Sequence, residues 1–159
     1  MQHYTNMKKY LLSISLLFIT ASSFCQINFP YVEVKLVKPS DYKQAEPLVL
    51  AAASALLSTP FKEKDTDRSQ AQEFLKKWME GTKDYTIQLS CVAQDIADDH
   101  DLFDLYAAAT VKFILENKVL SANQKLVDMG ACKLVLSYCD NPANNFKLKK
   151  KQRKKLEYD

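Results

Sequence analysis

Apolar side chains recur at helical spacing through most of this chain, and four stretches carry the pattern clearly. In the stretch 40–58, Leu48, Ala52, Ala55 and Leu56 form one stripe, broadened by Val49 and Ala53. Ser40 or Asp41 is placed to cap this helix. Pro47 lies within the pattern, so either the helix bends there or it begins near Glu46 with Pro47 in its first turn. A second helix is predicted over about 66–80, capped by Thr66 or Asp67, with Ala71, Phe74, Leu75, Trp78 and Met79 facing inward and Gly81 ending it.

The third predicted helix, about 99–117, is apolar around most of its circumference. Its polar positions, Asp101, Asp104, Lys112 and Glu116, are confined to a narrow stripe. Such a helix is packed on several sides and belongs at the centre of a bundle. A fourth opens with Ser121 and Gln124, the spacing of a capping box, and carries Leu126, Val127, Met129, Ala131, Leu134, Val135 and Tyr138. Gly130 sits in its middle, where glycine costs about 1 kcal/mol relative to alanine, so a close helix crossing is expected there. A fifth, weaker helical pattern covers 143–157.

Two short stretches show a period of two instead. They are 31–37, with Val32, Val34 and Leu36 on one side, and 85–89, with Tyr85, Ile87 and Leu89. A small two-stranded extended pair leaning on the helices is the expectation from them. The fold class is therefore all-α: a compact bundle of four to five helices, with that pair as its only extended element.

The N-terminus follows a different logic. Lys8 and Lys9 precede the apolar run 10–19, and Ala21, Ser22 and Ser23 follow it. Charge, a short apolar core and small residues form the pattern of a secretory signal peptide. The run is too short for a membrane span, which needs about 20 apolar residues. Cleavage between Cys25 and Gln26 places Ser23 and Cys25 at the two positions that require small residues. Acylation of Cys25, as in a lipoprotein, is the lesser alternative, because Phe24 occupies the position before it. The expected organisation is a signal peptide over 1–25, a helical domain over 26–145 and a basic tail or helix over 146–159. The expected location is periplasmic or extracellular.

Composition then removes chemistries. The chain holds two glycines, Gly81 and Gly130, whereas phosphate-cradling loops and dinucleotide fingerprints need several. No G-x-S-x-G elbow is present. The expected mature chain has three cysteines, an odd number, which in an oxidising compartment permits one bridge and one free thiol. Cys132 and Cys139 lie seven residues apart on one helix, about 10 Å of rise, too far to pair with each other. A bridge would join Cys91 to Cys132 or to Cys139; equally, all three serve as small buried residues. Zinc is not expected, since no Cys-x-x-Cys spacing occurs and His100 is the only mature histidine.

Asp95, Asp98, Asp99, His100 and Asp101 form the densest set of metal-ligand types, but without the spacing and central glycine of a calcium loop. Carboxylates at a helix start more often cap free amides, and that is the reading preferred. Neither catalytic residues nor a cofactor are assigned.

Charge is segregated. Residues 146–159 hold seven basic and two acidic side chains, a net of +5, while 26–145 carry 13 basic and 17 acidic, a net of −4. Lys147, Lys149, Lys150, Lys151, Arg153, Lys154 and Lys155 are candidate contacts for an anionic surface. The alternative is that they keep the chain soluble or fold back on the acidic body. Nucleic acid is the least natural partner for an exported chain whose tail lacks interleaved aromatic residues.

The stretch "AEPLVLAAASALLSTP", followed by "AQEFLKKWMEGTKDYTIQL", resembles small secreted proteins of Gram-negative bacteria. These pair a signal end like "SFCQ" with a helix, a Trp-containing helix and then GT-x-DY. The resemblance covers Ala45 to Leu89 and, more loosely, the helix around Tyr106 to Asn117, and implies a mostly helical exported domain, with no activity attached. The function expected is that of a non-enzymatic protein of the cell envelope or exterior, acting on an envelope protein or an anionic surface. The alternative is a hydrolase, or a small-molecule or lipid binder, whose site has no sequence signature.

Overall fold

Among the described residues, six α-helices form around the apolar stripes. The computed structural model describes residues 33–87 and 90–157, leaving out the side chain of Cys91. The expected signal peptide, 1–25, lies outside the described residues. Helix α1, Pro39–Leu56, begins with a proline in its first turn, where a missing N–H costs nothing. Its N-cap is Lys38, and Asp41 reaches back to accept from the backbone N–H groups of Val37 (3.1 Å) and Lys38 (2.8 Å). Those bonds hold the Asp41 carboxyl below its usual range. The helix runs through Pro47 and does not begin near Glu46. Pro47 and Lys43 are both exposed, so water can serve the carbonyl that proline leaves without a donor. The buried face is Ala45, Val49, Ala52, Ala53 and Leu56, so the stripe is rotated from that predicted and Leu48 and Ala55 are only half-buried.

Helix α2, Thr66–Gly81, is capped by Asp65, whose side chain accepts from the Arg68 N–H at 3.0 Å. The cap is thus one residue before the predicted pair. Gly81 closes the helix without a left-handed conformation. Its role is steric, because a Cβ there would overlap the Tyr42 ring. A two-turn helix absent from the sequence reading, α3 (Cys91–Ile96), starts at Ser90, which caps it through the Ala93 N–H. Helix α4, His100–Glu116, is capped as expected by Asp99. Helix α5, Gln124–Asp140, is capped by Asn123 and not Ser121; the Ser121 hydroxyl instead donates to the Lys118 carbonyl, within a short 3₁₀ turn at 118–120. The short α6, Lys150–Leu156, ends the described chain after a second 3₁₀ turn, Pro142–Asn144.

Helix α4 is central, as its near-uniform apolarity requires. One face joins α1 and α2 in a first core cluster built around Val49, Phe74, Leu75, Trp78 and Val111. The opposite face joins α3, α5 and α6 in a second, built around Ile96, Leu102, Leu105, Val135, Tyr138 and Leu156. Trp78 is fully buried and its indole N–H donates to the Tyr42 carbonyl at 2.9 Å, which makes it a core anchor. Gly130 lets α5 lie against the Phe113 ring of α4, the close crossing expected.

Of the two stretches expected to pair, 31–32 and 88–89 lie outside the described residues, and none of the described residues 33–37 and 85–87 is in a strand. Val34, Leu36, Tyr85 and Ile87 instead pack as irregular segments on the first cluster. With an apolar helical surface available, each segment buries its side chains there, and an isolated pair would be marginal. Among the described residues, no helix is long and apolar enough to cross a membrane.

Candidate functional site

The basic C-terminus is not a free tail. Leu156 is fully buried in the second cluster, with Phe146 and Leu148 partly buried beside it. Burying a leucine stabilises by about 1.5–3 kcal/mol, enough to hold one short helix in place. Polar contacts with the acidic body fix its orientation. Lys155 Nζ pairs with Asp95 at 2.7 Å, Gln152 donates to Asp99 at 2.7 Å, and Arg153 pairs with Asp140. That carboxylate raises the Arg153 pKa. Two of the seven expected surface cations, Arg153 and Lys155, are therefore engaged within the molecule. Lys147, Lys149, Lys150, Lys151 and Lys154 are exposed, and none is ion-paired among the described residues.

The acidic cluster is dispersed by the fold. Asp99 caps α4 and receives Gln152, Asp95 faces Lys155, and Asp101 lies exposed on the first turn of α4. No group of three metal-ligand side chains occurs among the described residues. Asp104, half-buried one turn further on, has its carboxyl pushed up by burial and by the neighbouring Asp101; His100, Lys76 and Arg68 oppose this.

Cys132 and Cys139 are free thiols, so the bridge to Cys91 that the odd count allowed is not made at either; the Cys91 side chain lies outside the described residues. Burial is the reason they behave as apolar groups. It pushes both thiols up to about 12, where the reactive thiolate is scarce at neutral pH.

Two buried polar arrangements had no place in the sequence reading. In the first, Tyr106 on α4 donates to Asp128 on α5 at 3.0 Å, while its hydroxyl also lies 3.0 Å from Ser90, and Gln124 donates to Asp128 at 2.7 Å. This ties α4, α5 and the start of α3 together, and burial raises the Tyr106 pKa. The sequence signal was present: Asp128 falls on the same helical face as Ala131, Cys132 and Val135.

The second centres on Arg68, only 7% exposed. Its Nη1 donates to the Leu56 carbonyl at 3.1 Å, and its guanidinium lies 5.5 Å from the Phe61 ring centre and 5.8 Å from that of Tyr138. Its Nε is buried without an acceptor. The same side chain forms part of the wall of a recess of about 290 Å³, shared with Phe61, Lys64, Ser69, Gln72 and Asp101. Arg68 too stands on an apolar stripe, one turn before Ala71 and two before Leu75. A larger groove of about 490 Å³ is lined by Val34 and Leu36 of the preceding segment, Tyr42, and Glu73, Phe74, Lys77 and Glu80 of α2.

Among known proteins, no family model, no curated protein and no solved structure matches this chain.

Proposed function

We propose that the protein is an exported, non-enzymatic binding protein that meets an anionic surface through the outer face of α6. The observation that carries the reading is the burial of Leu156. It anchors a helix whose lysines Lys150, Lys151 and Lys154 face water on a fixed platform, with Lys147 and Lys149 just before it. Five exposed lysines without carboxylate partners suit a lipid surface rich in acidic headgroups, to which each contributes on the order of 1 kcal/mol. The export half of the reading rests on the residue pattern of 8–25, and the intact mass of the secreted chain tests it. A chain beginning at Gln26 is expected, and one recovered in the cytosol with Met1 or Met7 retained would refute it.

The surface half is tested without disturbing the anchor. Replacing Lys147, Lys149, Lys150, Lys151 and Lys154 by glutamine leaves Leu156 and both ion pairs intact. Partition onto vesicles of phosphatidylglycerol and phosphatidylcholine should fall about tenfold or more, and wild-type partition should weaken with added salt. Unchanged partition in the variant ends the proposal.

A further inference from the structure

Arg68 is a buried charge without a counter-ion. A guanidinium carries five N–H donors; here Nη1 donates to the Leu56 carbonyl, the Tyr138 hydroxyl lies close enough to act as a second acceptor, and Nε is left without one. No carboxylate lies within ion-pair distance among the described residues. Asp104 acts on it only at longer range. Buried charges are ordinarily paired, because leaving one unpaired costs several kcal/mol. Two aromatic rings offset part of that cost, but they accept no hydrogen bonds through Nε.

The surroundings are those of a built recess. The α1–α2 connection that rims it holds Lys64 at φ 57°, a left-handed conformation that lysine seldom adopts and that needs support from its neighbours. Phe61, at its edge, is fixed by a backbone bond to the Asn144 carbonyl (2.8 Å) and an edge-on contact with Phe146. The Tyr138 hydroxyl donates to the Thr59 carbonyl at 2.8 Å. The guanidinium is thus held by the Leu56 carbonyl and flanked by the Phe61 and Tyr138 rings, and the Arg68 side chain lines the recess.

We infer that Arg68 anchors a site for a small carboxylate-bearing molecule, whose carboxylate supplies the missing counter-charge from the 290 Å³ recess that the Arg68 side chain lines. The lining decides for a carboxylate over phosphate. Lys62, Lys64 and Arg68 are balanced there by Glu63, Asp65 and Asp101. A doubly charged anion would be repelled by those acids, whereas a single charge matched to the planar fork is accepted. The site takes up the small-molecule class of function and is independent of the lysine face of α6.

The chain contains two arginines, Arg68 and Arg153, so its Nε–H spectrum holds two side-chain resonances. Acetate titrated into the full mature chain at constant ionic strength should shift the Arg68 resonance saturably and leave that of Arg153 nearly still. Inorganic phosphate should act more weakly. Arg68→Lys, which keeps the charge and loses the fork, should bind acetate about tenfold more weakly. If that variant fails to fold, the two wild-type titrations still decide. Equal linear shifts at both arginines, no shift at all, or phosphate acting more strongly than acetate would each overturn the inference.

Discussion

Gly130 shows how one residue sets the distance between two helices. In an exposed helix, replacing glycine with alanine gains about 1 kcal/mol. Here the added Cβ would meet the Phe113 ring at its inner carbons, which cannot swing aside as the end of a long side chain can. Overpacking of that kind costs about 1–3 kcal/mol. Gly130→Ala is therefore expected to lower the urea midpoint, and adding Phe113→Ala should recover part of the loss to the alanine. A stabilised single variant would show that α5 does not lie this close to α4. The pattern of glycines pointed to the crossing, but Phe113 could not be named from it, because it lies on another helix. Arg68 and Asp128 teach the same lesson. Their positions on apolar faces are legible in the sequence, but whether a partner waits for them is not.

At the scale of elements, α6 separates two kinds of contribution. Its ion pairs are substantially exposed, with side-chain accessibilities of 39% and 45% for Lys155 and Asp95. Pairs like that contribute about 0–1 kcal/mol each. Leu156 is wholly buried, and truncating such a leucine costs about 2–5 kcal/mol. Leu156→Ala should thus release α6 and lower the melting temperature by several degrees, while Lys155→Ala should change it little. Hydrogen exchange over 150–156 checks this directly; if Lys155→Ala opened the helix as much as Leu156→Ala, charge and not burial would hold the element. The segregation of charge was visible beforehand, and folding back on the acidic body was one of the two readings it allowed. Leu156, the one leucine of α6, decided between them.

At the scale of the whole molecule, the described residues form two apolar clusters joined through α4, and their polar interior fixes how stability responds to pH. Burial raises the Cys132 and Cys139 thiols to about 12, from an ordinary 9.0, and it raises the pKa of Tyr106 and Tyr138 as well. The unfolded chain would begin to release these protons near pH 9 while the folded chain still holds them. It then binds fewer protons than the native state, so stability falls as pH rises. The contribution is complete below the unfolded values and is lost above them. Urea midpoints should be level for these groups up to about pH 8 and decline above pH 9. The double variant Cys132→Ser, Cys139→Ser should show a shallower decline, because serine does not ionise in that range. A midpoint rising above pH 9, or a decline unchanged in the variant, would contradict it.

The residue pattern by itself determined the helical class, three of the helix spans within two residues, the central place of α4 and the identity of Trp78 as an anchor. It could do so because periodicity, scarce glycine and capping side chains act over a few neighbouring residues. It placed two caps late and one, that of α5, two positions early, missed the two turns of α3 and proposed an extended pair. Those depend on which surface a segment finds to bury itself against, and that is settled only when distant helices meet. The tertiary structure alone brought Arg68 beside Phe61 and Tyr138, closed Tyr106 on Asp128, and turned a basic tail into a docked helix. Each joins residues far apart in the chain, where no local rule reaches.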